Sequence, residues 1–288
     1  MTMWPTDEKD LVRWVRASLQ PEDDVEVRGL DEVRISAALA GADLEHLTVD
    51  ATGASLKLRF LRATATGMGP TDAPSPPVET TRRPGTSTLL RLVAAPVRIQ
   101  GYPLTIDARL LDAPIDWIEY ERPVIPGRAE TSRTIEIARQ GEGMRGFVDA
   151  SIRADDLGPM LTAVMKPALR SAGVRLRRLD LTLSADGDAG FRITGAARIR
   201  WKLLFASARG AARIGVSRDG VLTIRDLDVG SANPIVAIAM RAARRMTRKQ
   251  IGRTYDLNAG IAADGVRARL HDVRVDVDGD IRVSARIG

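Results

Sequence analysis

Only two histidines, His46 and His271, occur in the chain, each beside an acidic residue (Glu45 and Asp272) in sequence that alternates between apolar and polar. Histidine is the side chain that best exchanges protons near neutrality and a common transition-metal ligand. Two copies on half-exposed strands give that chemistry almost no material. Cysteine is absent, which removes a thiol nucleophile, a disulfide frame and Cys-based zinc or iron–sulfur sites. Residues 141–146, GEGMRG, match the dinucleotide pattern G-x-G-x-x-G. That pattern works only where a strand leads into a helix whose N-terminus faces the pyrophosphate. Here FVDASIRAD follows and alternates as a strand does, so the glycines are expected in a hairpin turn. DVDGD at 276–280 lacks the distal Glu of a calcium loop. The acidic pairs Asp23/Asp24 and Asp155/Asp156 are accounted for by a loop and a helix cap. The expectation is a protein that is not an enzyme and holds no cofactor or metal. Carboxylates brought together by folding are the catalytic route left open.

The densest charge lies in residues 233–253, NPIVAIAMRAARRMTRKQIGR, which hold six basic residues and no acidic one. Asn233 suits an N-cap and Pro234 the first helical position. At 100° per residue Ile235, Ile238, Ala239, Ala242 and Met246 share one side, and Arg241, Arg244, Arg245 and Arg248 the other. The segment is expected to be an amphipathic helix with a cationic outer face, near 233–252. That face has three uses open to it. It can be solvated or covered by the acidic first fifty residues, it can meet an anionic membrane surface, or it can bind nucleic acid. Nucleic acid is the least favoured, because stacking aromatics are scarce (4% of the chain) and no DNA- or RNA-binding signature is present.

The elements that would position these groups are mostly strands. The length of 288 residues, 44% hydrophobic and 28% charged, suits a globular protein able to bury a substantial core. The net charge of +6 is uneven: residues 1–50 balance at −7 and the remainder at +13. No apolar run reaches the ~18 residues of a membrane span, and the start lacks a signal-peptide core. A soluble cytoplasmic protein, peripheral at a membrane if its basic face is so used, is the expectation.

Residues 6–19 read as a helix capped by Thr6, with Leu11, Val12, Trp14, Val15 and Leu19 on its apolar side. From Val25 the period shortens to two, and short turn signals such as Ala185-Asp186-Gly187, Arg218-Asp219-Gly220 and Asp278-Gly279 separate successive strands. Such links suit antiparallel hairpins, since parallel pairs need long crossovers. A second helix is expected near 155–172, kinked or shortened by Pro167, with Leu157, Met160, Leu161, Val164, Met165 and Leu169 along one side. The division expected is 1–65 for the N-terminal helix and strands, 66–88 for a Pro-rich loop or linker, and 89–288 for the remaining sheet and helices. The fold class is α+β, a long twisted antiparallel meander wrapped on two amphipathic helices.

The segments GADLEHLTVDATGASLKLRFLRA, VRLRRLDLTLSADGDAGFRITGAARI and GVLTIRDLDVGSANPIVAIAMRAARR cover about half the chain. In element order and strand texture they resemble the bacterial LmeA-like phospholipid-binding proteins of the tubular lipid-binding (TULIP) superfamily. The resemblance implies an elongated module with an apolar tube that holds a phospholipid or fatty acyl ligand, without chemistry. It makes Leu157, Met160, Leu161, Val164, Met165, Ile235, Ile238, Ala242 and Met246 candidate lining residues, each of which would otherwise be ordinary core. It gives Arg241, Arg244, Arg245, Arg248 and Lys249 to anionic lipid or to an acidic partner. Family members usually carry an N-terminal apolar segment, which this sequence lacks. The alternative is an interaction protein whose basic helix docks an acidic partner, a second copy of the chain being one partner allowed.

Overall fold

The computed structural model describes residues 4–20, 25–58, 77–124, 127–138, 143–171, 174–187, 190–201, 204–230, 251–259 and 268–288. The fold is α+β, two largely antiparallel sheets with two helices among the described residues.

A long hairpin is the spine of the larger sheet. Strand β5 (Glu79–Ile99) turns at Gln100-Gly101 into β6 (Tyr102–Tyr120), with Ile99 opposite Tyr102. Both turn residues have positive φ, 54° and 90°, which gives a two-residue turn whose twist matches that of the strands. Shorter strands lie end to end along each edge of this hairpin. On the β5 edge run β3 (Asp43–Asp50) and β4 (Ser55–Leu58), with β1 (Val25–Arg28) on β4 and β2 (Arg34–Ala40) on β3. On the β6 edge run β7 (Arg133–Ile137) and β8 (Arg145–Arg153). The hairpin β14 (Leu270–Asp278) and β15 (Asp280–Ile287) extends the sheet beyond β8, through β15.

Three expectations change here. Both β3 and β4 pair with β5 in parallel, so the sheet is not antiparallel throughout. The chain between β4 and β5 is long enough to serve as the crossover that a parallel pair requires. Strand β5 starts at Glu79, inside the stretch read as a loop to residue 88. Its Pro84 lies before Ser87, where the described β3 contacts on that edge end, so the missing N–H costs no ladder bond. The described part of GEGMRG, residues 143–146, does not close a hairpin, because β7 and β8 both pair with β6 and follow one another along it. Gly143, at φ 91°, and Gly146 belong to the break and resumption of one edge.

The smaller sheet is a simple antiparallel meander. It comprises β9 (Val174–Ala185), β10 (Gly190–Trp201), β11 (Leu204–Val216), β12 (Val221–Gly230) and β13 (Thr254–Asp256), in that spatial order. The turns at Asp186-Gly187, Arg218-Asp219-Gly220 and Asp278-Gly279 fall where the sequence places them. The two sheets share a core in which Val216, Phe191 and Leu222 meet Val273, Leu270, Val275 and Ala285. Asn258 staples the junction by donating to Asp219 O (2.9 Å) and accepting from Leu270 N (2.5 Å).

Helix α1 spans Glu8–Ser18 and is capped by Asp7, not Thr6: the Asp7 carboxylate accepts from Asp10 N at 2.7 Å. Its buried Leu11 and Val15 join Trp4, Leu44, Ile115 and Trp117 in the main core. Helix α2 spans Ala154–Ser171 and continues through Pro167, and Asp155 and Asp156 lie in its first turn instead of capping it. It packs on β9, with Gly158 facing that strand so closely that a Cβ would lie 3.4 Å from Leu181 N. Residues 233–250 of the expected third helix lie outside the described residues, and Ile251-Gly252 at its end form a turn.

Candidate functional site: an apolar cleft on the large sheet

Cross-strand partners in a sheet share a face, so the pairing register assembles the site from single residues. One row runs Leu47, Leu90, Leu110, Gly146 and Ile287 across β3, β5, β6, β8 and β15. The next runs Val49, Leu92, Ala108, Val148 and Ala285. Apart from Gly146, both are aliphatic. From these rows Leu47, Leu90, Leu110 and Ile287, with Val49, Leu92 and Ala108, floor a cleft of about 410 Å³; Trp14 of α1 and Ile135 and Ile137 of β7 wall it, and Arg91 and Arg109 also line it. The floor is not closed core, since Leu92 remains 43% exposed.

A backbone irregularity keeps the wall and the floor on the same side. Along β6 the inward side chains are Ile106, Ala108 and Leu110, then Ala113, Ile115 and Trp117. The change of parity falls at Asp112, whose φ is 53°, and Leu111 is turned outward to 38% exposure. Asp112 accepts from Arg145 Nη2 at 2.7 Å, tying the irregularity to the start of β8.

Trp14 is fixed on several sides. Its Nε1 donates to the carbonyls of Glu130 and Arg133, both at 3.1 Å. Trp4 stands edge-on at 5.2 Å, and a third indole, Trp117, lies 5.4 Å from Trp4. The N-terminal segment is itself held down by Trp4 N donating to Glu119 Oε1 and by Arg83 donating to Trp4 O.

Charge is gathered in the alternate rows of the same strands. Asp107 accepts from Arg109 (2.7 and 3.1 Å) and from Arg91 (3.2 and 3.3 Å). The Arg109 hydrogen bond is the largest cause of the lowering of the Asp107 carboxyl below its ordinary range, with Arg91 adding to it. Asp149 pairs with Arg282, and Asp272 with Arg274 and Arg286. The Arg274 hydrogen bond leads the causes that lower Asp272. Arg109 also stacks on Phe147 at 4.9 Å. Asp107, Asp149, Asp272, Arg274, Arg282 and Arg286 line a charged groove of about 490 Å³, in which carboxylates and guanidinium groups are already matched, while Arg91 and Arg109 border the apolar cleft.

Of the residues singled out from sequence, Leu157, Met160, Leu161 and Val164 are half-buried and Met165 is 42% exposed. All lie on α2 against the smaller sheet, and none lines the cleft. The helix is amphipathic as expected, but its partner is β9. Ile235, Ile238, Ala242 and Met246, and Arg241, Arg244, Arg245, Arg248 and Lys249, lie outside the described residues. His46 is half-buried and His271 exposed. Among the described residues no three acidic or histidine side chains gather as metal ligands, and no helix is long and apolar enough to cross a membrane.

The cleft residues went unmarked in the sequence because an aliphatic at every second position reads the same whether its face is core or cleft. Only pairing across five strands shows that two such rows adjoin on a face that leaves Leu92 43% exposed. No family model, curated protein or solved structure matches the chain.

Proposed function

We propose that this protein binds a phospholipid or other long acyl-chain lipid without transforming it, seating the chain in the cleft of the large sheet. The observation that supports this reading is the cleft itself: about 410 Å³ lined by nine aliphatic side chains and one indole, with Arg91 and Arg109 as the only charged residues in its lining, on a face that leaves Leu92 43% exposed. Small-molecule sites occupy about 300–1,000 Å³ and are mostly apolar. Aliphatic surface left in water forfeits about 25 cal/mol per Å², which a bound acyl chain would recover. The resemblance to tubular lipid-binding proteins agrees with this role, and the basic stretch 233–253 is assigned to anionic lipid at a membrane surface.

Organic extraction of the purified protein followed by mass spectrometry tests the proposal, with Ala108→Phe beside the wild type. Ala108 lies in the floor between Leu92 and Val148, so a phenyl ring there fills the cleft from below. The expected result is a stoichiometric acyl lipid from the wild type and at least about tenfold less from the variant, at unchanged circular dichroism. Absence of retained lipid together with no uptake of a fluorescent fatty acid would overturn the proposal.

A further inference from the structure

We propose that Trp14 is the residue that sets the width of the cleft, so that it accepts one slender, unbranched chain laid across the strands and refuses a methyl-branched or polycyclic one. This rests on the acyl-lipid reading above and goes beyond it by naming the shape selected and the side chain that selects it.

The floor gives the direction. The row from Leu47 through Leu90, Leu110 and Gly146 to Ile287 crosses five strands, a path of about 19 Å at the usual strand spacing. That length suits a single extended long-chain acyl group. Gly146 is the one position in the row without a side chain, and a Cβ there would press on Leu110 Cδ2 at 2.9 Å. The Leu110 side chain therefore lies over Gly146 and carries the floor at that point.

Width is decided by the wall. Ile135 and Ile137 project from β7 and Trp14 from α1. An isoleucine yields by small rotamer changes, whereas the Trp14 indole is held by two carbonyl acceptors at 3.1 Å and backed by Trp4 at 5.2 Å. For Trp14 to move aside, both hydrogen bonds must break in a half-buried site, and each such loss is costly. A wall that cannot yield discriminates by size, and a difference of one or a few methyl groups in an apolar site is worth of order tenfold in affinity.

The test is displacement of a dansyl-labelled undecanoic acid by palmitic acid and by its methyl-branched counterpart, phytanic acid. Wild type, Trp14→Ala, Trp14→Leu and Trp14→Phe are compared. In the wild type palmitate is expected to compete at about tenfold lower concentration than phytanate. That ratio is expected to fall towards unity in Trp14→Ala and Trp14→Leu, and part of the way in Trp14→Phe, which keeps an aromatic ring against Trp4 but loses both hydrogen bonds. Trp14→Leu carries the test if the alanine variant does not fold. An unchanged ratio in a folded variant that still binds the probe overturns the role of Trp14 alone. Failure of the wild type to bind the probe overturns the acyl-lipid reading beneath it.

Discussion

The indole Nε1 of Trp117 donates a 2.9 Å hydrogen bond to the carbonyl of Ala42, and the backbone of Gly85 passes directly beside that bond. Trp117 is 1% exposed, in the core beneath α1, and Ala42 belongs to the turn between β2 and β3. The bond thus ties the β2–β3 turn to β6 across β5. A Cβ at Gly85 would collide with the Ala42 carbonyl and sit 3.0 Å from Trp117 Nε1. Gly85→Ala is expected to lower unfolding free energy by about 1–3 kcal/mol. Urea denaturation followed by tryptophan fluorescence measures it, and an unchanged midpoint would show that the turn can shift without loss.

Two positions away, Ser87 is fully buried, and its hydroxyl has no hydrogen-bond partner among the described residues. A hydroxyl taken out of water without a partner costs about 1–3 kcal/mol. Ser87→Ala removes only the oxygen and keeps the packing of Cβ. The variant is expected to be more stable by about 1 kcal/mol, visible as a rise in the thermal midpoint; a fall would mean that the hydroxyl has a partner in solution.

Much of the fold was legible because its local signals agree. Alternation marks the strands, Asp-Gly pairs mark three of the turns, and the 3.6 period marks both described helices. What escaped depends on pairing between segments distant in sequence. The parallel partnership of Leu47 with Leu90 and Val49 with Leu92 joins segments distant in sequence, and no local pattern encodes it. The parity change at Asp112 hides in the doublet Leu110-Leu111, which reads as a strand defect until the inward positions of Leu110 and Ala113 are known. The lining residues expected on α2 share a general weakness: a periodic apolar stripe shows that a helix face is covered, but not what covers it. Here β9 does.

The basic stretch gives a prediction that depends on its charge alone. Arg241→Glu/Arg245→Glu changes the charge of residues 233–253 by four units. If that stretch meets anionic lipid, sedimentation with phosphatidylglycerol vesicles should fall by at least about tenfold, since each basic residue near such a surface contributes about 1 kcal/mol. Wild-type binding should also weaken steeply with added salt, and neutral phosphatidylcholine vesicles should capture neither protein. Equal capture of both proteins would remove the stretch from membrane contact.

Asp107 provides the pH dependence. Arg91 and Arg109 are directly opposite one another on β5 and β6, a pairing of like charges that is unfavourable by itself. The Asp107 carboxylate binds both, and its neighbour on β8 is Asp149, occupied by Arg282. The lowered folded-state carboxyl means that the unfolded chain takes up its proton first as pH falls. Stability from this group is therefore fully present above the ordinary carboxyl range, about pH 4, and is lost as pH drops through the lower folded value. Asp107→Asn should then be less stable than the wild type at pH 7, by under about 1 kcal/mol because the cluster is partly exposed. The gap should narrow below pH 4, where the wild type too becomes protonated. Parallel urea titrations at pH 7, 5, 4 and 3 measure the gap, and a constant difference across that range would show that the carboxylate charge does not hold the two guanidinium groups together.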